Sequence, residues 1–144
     1  MERFLPYDPG FLPDKTAPAA GDRLVISVNG LPPIKTFGQS IRNAAHPRHA
    51  SFLALRRAGI EAMAGRAWCF GSVELRLDLY SARREDDAGL QAYASGIMDA
   101  LGGSTGRTFT FLPIVYQDDC QVTSIHSRWF LSAEERYVVE VRFG

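Results

Sequence analysis

The chain has only two cysteines, Cys69 and Cys120, among its 144 residues. They lie about fifty residues apart and belong to no CxxC or Cys/His spacing. That leaves neither a disulfide framework nor a zinc motif, and points to buried structural thiols in a reducing compartment. Long apolar runs are also missing, since no stretch approaches the roughly 18 residues of a membrane span. The first residues, with Glu2, Pro6, Asp8 and Pro9, lack the layout of a secretion signal. The expectation is a cytoplasmic protein without membrane association. His46, His49 and His126 make no HxxxH or HExxH pattern, and no GxSxG or P-loop is present. Zinc, serine-hydrolase and nucleotide-triphosphate chemistry therefore have no motif to rest on.

A net charge is absent too, because 16 basic residues balance 16 acidic ones. The balance hides unlike segments. Residues 1–22 are mildly acidic, residues 23–84 carry ten basic against three acidic side chains, and residues 85–144 carry four against nine. A basic half and an acidic half suit a protein that meets phosphates with one surface and a divalent cation with another, although two ordinary solvated faces look the same in sequence.

With 46% hydrophobic residues the chain can bury one core. Residues 1–22, rich in proline and aperiodic, read as an extended arm whose Phe4, Leu5, Tyr7, Phe11 and Leu12 offer a docking surface for the body or a protein partner. Residues 23–144 read as one domain. Leu24 to Val28 alternates as a short strand, and residues 47–64 form an amphipathic helix with Phe52, Leu55, Ile60 and Met63 inward and Arg48, Arg56, Arg57 and Arg66 outward. Val73, Leu75, Leu77 and Leu79 alternate with polar residues as the clearest strand. A second helix, N-capped by Asp86 or Asp87, runs through Leu90, Tyr93, Ile97 and Leu101 and stops at Gly102-Gly103. Residues 108–116 are β-rich but broken by Pro113, and strands follow at 122–131 and 137–143. The expected fold is α+β, a small mixed sheet with two main helices on one side. Trp68, Trp129 and Phe130 are assigned to the core or a dimer interface, and His46 and His49 to a solvated helix start.

The helix GLQAYASGIMDALGG, followed by VYQDDCQVTSI, resembles the core of the RusA-type Holliday junction resolvases. That family reads roughly DxDNxxKGxxDALxG, then an apolar or aromatic residue, DD, one residue, QV and a strand. The matching positions are Tyr93, Gly96 to Leu101, Gly103, Tyr116, Asp118, Asp119, Gln121 and Val122, and Gly30 to Lys35 is similar to the family's proline-rich first loop. The resemblance covers about half of the chain. It implies a homodimer that binds four-way DNA junctions and nicks two strands with Mg²⁺ held by aspartates, since hard Mg²⁺ takes carboxylate oxygens and activates water against a phosphodiester.

The chain departs from that pattern where the chemistry lies. In the register set by Tyr93 and Gly96, the family's two aspartates fall on Gly89 and Gln91 and its lysine on Ser95. Asp118 and Asp119 remain as catalytic and metal candidates. A shifted helix start would add Asp86 and Asp87, with Asp87 as a further ligand, unless those two merely cap the helix. Asp99 is read as a structural acceptor. The DNA-binding candidates are Lys35, Arg42, Arg48, Arg56, Arg57, Arg83 and Arg84. The leading expectation is a dimer that binds branched DNA with reduced or lost cleavage and a weak Mg²⁺ site or none. An active Mg²⁺ nuclease using Asp86 or Asp87 with Asp119, and a protein-interaction or scaffold subunit, are the alternatives.

Overall fold

The computed structural model describes residues 15–34, 41, 45–105 and 110–144. Strand β1 (Arg23–Asn29) is followed by α1 (His49–Met63), β2 (Val73–Ser81) and α2 (Asp87–Leu101). A two-stranded ribbon of β3 (Ser104–Thr105) and β4 (Thr110–Phe111) precedes β5 (Val122–Leu131) and β6 (Arg136–Phe143). The main sheet has the order β1-β6-β2-β5; β2 runs parallel to β5 and antiparallel to β6, which is antiparallel to β1. This is the expected α+β class. The Pro113 region contributes only the short β4, as a proline that cannot donate to a ladder requires.

Period-two alternation decides which face is covered. Leu24 and Ile26, then Val73, Leu75, Leu77 and Leu79, then Tyr137, Val139, Val141 and Phe143 are all buried. Their neighbours Arg23, Val25, Glu74, Arg76 and Arg142 are exposed. Helix α1 packs on β1 and α2, and α2 packs on β5. The helices therefore cover one face, and no described element covers the other. At about 25 cal/mol per Å² of apolar surface, burying each of the leucines of β2 is worth about 2 kcal/mol before chain entropy is counted.

Several of the motif residues singled out in the sequence hold this packing. A Cβ on Gly96 would lie 2.2 Å from the Pro33 carbonyl oxygen, so α2 crosses the 31–34 loop closely because no side chain stands there. The Tyr116 hydroxyl donates to Met98 O at 2.6 Å, tying the segment after β4 to the end of α2. The Gln121 amide accepts from the backbone N–H groups of Gln117 (2.8 Å) and Asp118 (2.9 Å) and donates to the carbonyls of Cys69 (2.8 Å) and Gly71 (2.7 Å). That one amide joins the starts of β2 and β5.

Helix α1 departs from expectation at Arg56. It lies in the buried stripe with Phe52, Leu55, Gly59 and Met63, 1% exposed. Its guanidinium donates to Ala100 O (2.9 Å), Gly102 O (3.1 Å) and Leu112 O (2.5 Å). Arginine can satisfy three carbonyls at once because its donors form a planar fork, and here it caps the C-terminus of α2. His46 and His49 are buried rather than solvated. His46 Nδ1 accepts from the Arg48 backbone at 3.0 Å, and His49 Nδ1 bonds the Ile41 carbonyl at 2.8 Å. Cys69 is buried as expected, but Cys120, the central residue of the turn at Asp119–Gln121, is exposed and corrects the expectation of two buried thiols.

Candidate nucleic-acid interface

Strand register assembles an arginine and aromatic rim at the carboxyl ends of β2 and β5. Tyr80 is paired with Phe130 on one side and Arg136 on the other, and all three project from the uncovered face. The Tyr80 and Phe130 rings stack at 5.0 Å with 19° between their planes. The Arg136 guanidinium sits 3.9 Å over Tyr80 and that of Arg128 5.2 Å over Phe130. Arg128 is oriented by Asp78, whose carboxylate accepts from Nε at 2.8 Å and Nη2 at 2.9 Å. Such cation and ring contacts are worth about 0.5–1 kcal/mol each when exposed.

The adjoining loop brings more arginine. Trp129 Nε1 donates to Ser81 Oγ at 2.9 Å, and that hydroxyl donates to Arg83 O at 2.7 Å. This fixes the exit of β2 and sets Arg84 5.4 Å over the Trp129 ring. An open depression follows, lined by Arg83, Arg84, Glu85 and Asp86. Arg48 and Arg83 both act on Tyr93. Its hydroxyl is nevertheless pushed above its ordinary value, first by burial and then by Glu85, while the two arginines oppose the shift. Arg48, Arg83 and Arg84 thus lie on the helix side of this end of the fold, with Glu85 and Asp86, while Arg128 and Arg136 lie on the uncovered face, with Asp78.

The candidate metal ligands do not gather. Asp86 is the N-cap of α2, its carboxylate accepting from Gly89 N at 2.8 Å, and Asp87 opens the first turn. Both side chains suit the positive end of the helix dipole. Asp118 caps the 3₁₀ turn at Asp119–Gln121, accepting from Cys120 N at 3.2 Å in a capping box with Gln121. That turn lies at the opposite end of α2, where Gly103 N donates to Gln117 O at 3.1 Å. Fifteen helical residues at about 1.5 Å each separate the two pairs by about 20 Å, whereas ligands of one Mg²⁺ converge within about 2.1 Å of it. The site expected from Asp86 or Asp87 with Asp119 is therefore not assembled within one chain. Among the described residues no three His, Cys, Asp or Glu side chains form a group able to hold a metal. Gly89 and Gln91 stand in the first turns of α2, near Asp86 and Asp87, and Ser95 stands at its middle. The donor set does not fit a resolvase-type magnesium centre.

Asp118 is held below its ordinary range, first by the Cys120 backbone N–H and then by a hydrogen bond with the Asp119 side chain. A depressed value in the fold means that the cap contributes fully above the unfolded value of about 4 and is lost as pH falls through the folded one. Amide exchange at Cys120, corrected for its intrinsic rate, is expected to accelerate selectively below about pH 4. Asp118→Asn should flatten that dependence, and exchange at Cys120 that follows the global rate at every pH would remove Asp118 from this role.

Of the basic residues singled out from sequence, Arg48, Arg57, Arg83 and Arg84 are exposed, whereas Arg56 is committed to the carbonyls at the end of α2 and is not available to DNA. Lys35, Arg42 and residues 1–14 of the arm lie outside the described residues. Trp129 packs partly on the core, but Phe130 stands on the uncovered sheet face rather than in the core. Sequence reasoning missed Tyr80, Arg128 and Arg136. The available signal was their shared outward parity at strand ends, which acquires meaning only once the pairing register is known. No protein-family model matches the chain, and no curated protein matches it significantly. Among the described residues no helix is long and apolar enough to cross a membrane. Fold and rim together define a small α+β domain bearing an arginine and aromatic surface.

Proposed function

We propose that this protein binds branched DNA as a homodimer and cleaves it slowly or not at all. The observation that carries the reading is the convergence of Arg48, Arg83, Arg84, Arg128 and Arg136 with Tyr80 and Phe130 toward one end of the sheet. Guanidinium groups meet phosphates and aromatic faces meet bases, and a surface offering both fits nucleic acid better than a small metabolite. The resemblance to RusA-type resolvases supplies the branched substrate and the two-fold assembly. Weak cleavage follows from the separation of Asp86 and Asp87 from Asp118 and Asp119, and from glycine and glutamine at positions 89 and 91.

The test is a salt titration of binding to a four-way junction. Replacing Arg48, Arg83 and Arg84 together with Glu is expected to weaken binding at least tenfold and to reduce the salt slope by up to about 2.7 if each arginine meets one phosphate. Wild-type protein with Mg²⁺ or Mn²⁺ should leave the junction largely intact, with two chains bound per junction. Unchanged binding by the folded triple variant, or rapid symmetric nicking by the wild type, would defeat the reading. A second reading is favoured by one observation: β5 is ten residues long and its outer edge has no strand partner among the described residues. Such an edge accepts an added strand, as a protein-interaction subunit would use it.

A further inference from the structure

Sheets protect their edges with proline, lysine, bulges or short strands, because a free row of N–H and C=O groups pairs with whatever strand it meets. Strand β5 ends the sheet order and, at ten residues, is the longest strand among the described residues. One side of it pairs with β2, and among the described residues no hydrogen bond reaches the other side. Val122–Leu131 holds no proline, lysine, aspartate or glutamate. Its one irregularity lies at the start: Val73 pairs with Val122 but Glu74 with Ser124, so Thr123 is an extra residue and the ladder is regular from Ser124 onward. Pairing β5 with β1 of a next copy would leave an open row of chains, whereas β5 against β5 closes after two copies.

Side chains decide the register of such a pair. A two-fold axis perpendicular to the sheet makes the two β5 strands antiparallel and sets one residue directly opposite its own copy. Within the regular ladder two centres give the longest overlap: Ser127, which pairs Ser124 to Phe130, and Arg128, which pairs Ile125 to Leu131. Arg128 against its copy opposes like charges, whereas Ser127 opposes two small hydroxyls. Centred on Ser127, Ile125 faces Trp129 of the second copy, and the axis repeats the contact. Both side chains are half-buried against the core on the helix-covered side, and a β-branched residue beside an aromatic ring is a favourable cross-strand pair. On the uncovered side Ser124 faces Phe130 of the second copy and His126 faces its Arg128, whose charge is offset by the two bonds to Asp78.

We propose that the free edge of β5 is the interface with a second copy of this chain, an antiparallel two-fold pairing centred on Ser127 that joins two four-stranded sheets into one. The proposal rests on the homodimer of the DNA-binding reading and deepens it by assigning the surface that makes the dimer. An axis perpendicular to the sheet keeps the helices of both copies on one side and both uncovered faces on the other.

Cross-linking reads the register directly. In a Cys120→Ser background, which removes the exposed thiol, Ser127→Cys sets two thiols opposite each other with about 4.5–5.5 Å between Cα atoms, within reach of a disulfide. Ser124→Cys is the control, because in this register it lies about 20 Å along the strand from its copy. Sedimentation of the wild type at about 50 µM is expected to give twice the mass of one chain. Mild oxidation should convert most of the Ser127→Cys variant, and little of the Ser124→Cys variant, to a covalent dimer that reduction reverses. Ser127→Cys exchanges one atom, so its reduced form should keep the wild-type melting curve and dimer mass. A dimer in which Ser127→Cys stays unlinked, or Ser124→Cys links equally, would overturn this interface and leave the homodimer in place. A monomer in solution would overturn the pairing and leave the edge to a strand of another protein. If one chain rather than two then loaded onto a junction, the two-fold assembly of the DNA reading would fall with it.

Discussion

Arg56→Ala is expected to lower the free energy of unfolding by about 4 kcal/mol, measured as a shift of the urea midpoint at unchanged slope. The side chain is 1% exposed and donates to Ala100 O, Gly102 O and Leu112 O. Its loss strands those carbonyls in a place water does not readily reach, at about 1–3 kcal/mol for each group left unsatisfied. The packing of its stem against Phe52 is lost as well, since the guanidinium lies 5.8 Å from that ring. Arg56→Lys should recover little, because a single ammonium cannot reproduce the planar fork. Arg57→Ala, one residue further on the exposed side, should change stability by less than about 0.5 kcal/mol. Equal midpoints for the two alanine variants would refute the role given to Arg56. The pair also separates folding from binding: Arg57 and Arg56 are adjacent in sequence, but only a loss at Arg57 can be read as an effect on a DNA surface.

The second large effect is expected at Gly96. A methyl group there meets the Pro33 carbonyl oxygen at 2.2 Å and its carbon at 2.5 Å. Both are backbone atoms, so no side chain can swing aside, and α2 must move away from the 31–34 loop. Overpacking of this kind costs about 3 kcal/mol, and Gly96→Ala should lower the melting temperature by several degrees despite the better intrinsic helix propensity of alanine. Gly89→Ala is the contrast, for its new Cβ would meet mainly the end of the flexible Glu85 side chain. A Gly96→Ala variant as stable as wild type would show that the loop yields freely.

These two sites belong to a wider set of motif residues whose roles are in packing. Gly96 lets a loop approach closely, Gly103 leaves room for the Pro113 ring, and Tyr116 places its hydroxyl on Met98 O. Asp118 caps a turn, and Gln121 makes a four-bond bridge. None of these roles needs a metal. Gly89 and Gln91 sit in the first turns of α2 and Ser95 at its middle.

Everything governed by local periodicity was legible in the chain before any fold was known. Apolar residues at every second position from Val73 to Leu79 specify a half-buried strand, and the apolar spacing of Leu90, Tyr93, Ile97 and Leu101 behind Asp86 specifies a capped helix. A single strand or helix already enforces those patterns. The remainder came only with tertiary packing, because it depends on residues far apart in the chain. Arg56 is polar, and polarity reads as outward; only the carbonyls of Ala100, Gly102 and Leu112, more than forty residues away, make the interior favourable for it. Asp86 and Asp118 look equally placed to join a metal site until α2 is seen to hold them apart. Tyr80, Phe130 and Arg136 become one stack only through strand register, which pairs residues 50 and 56 positions apart by hydrogen bonds that no local pattern encodes.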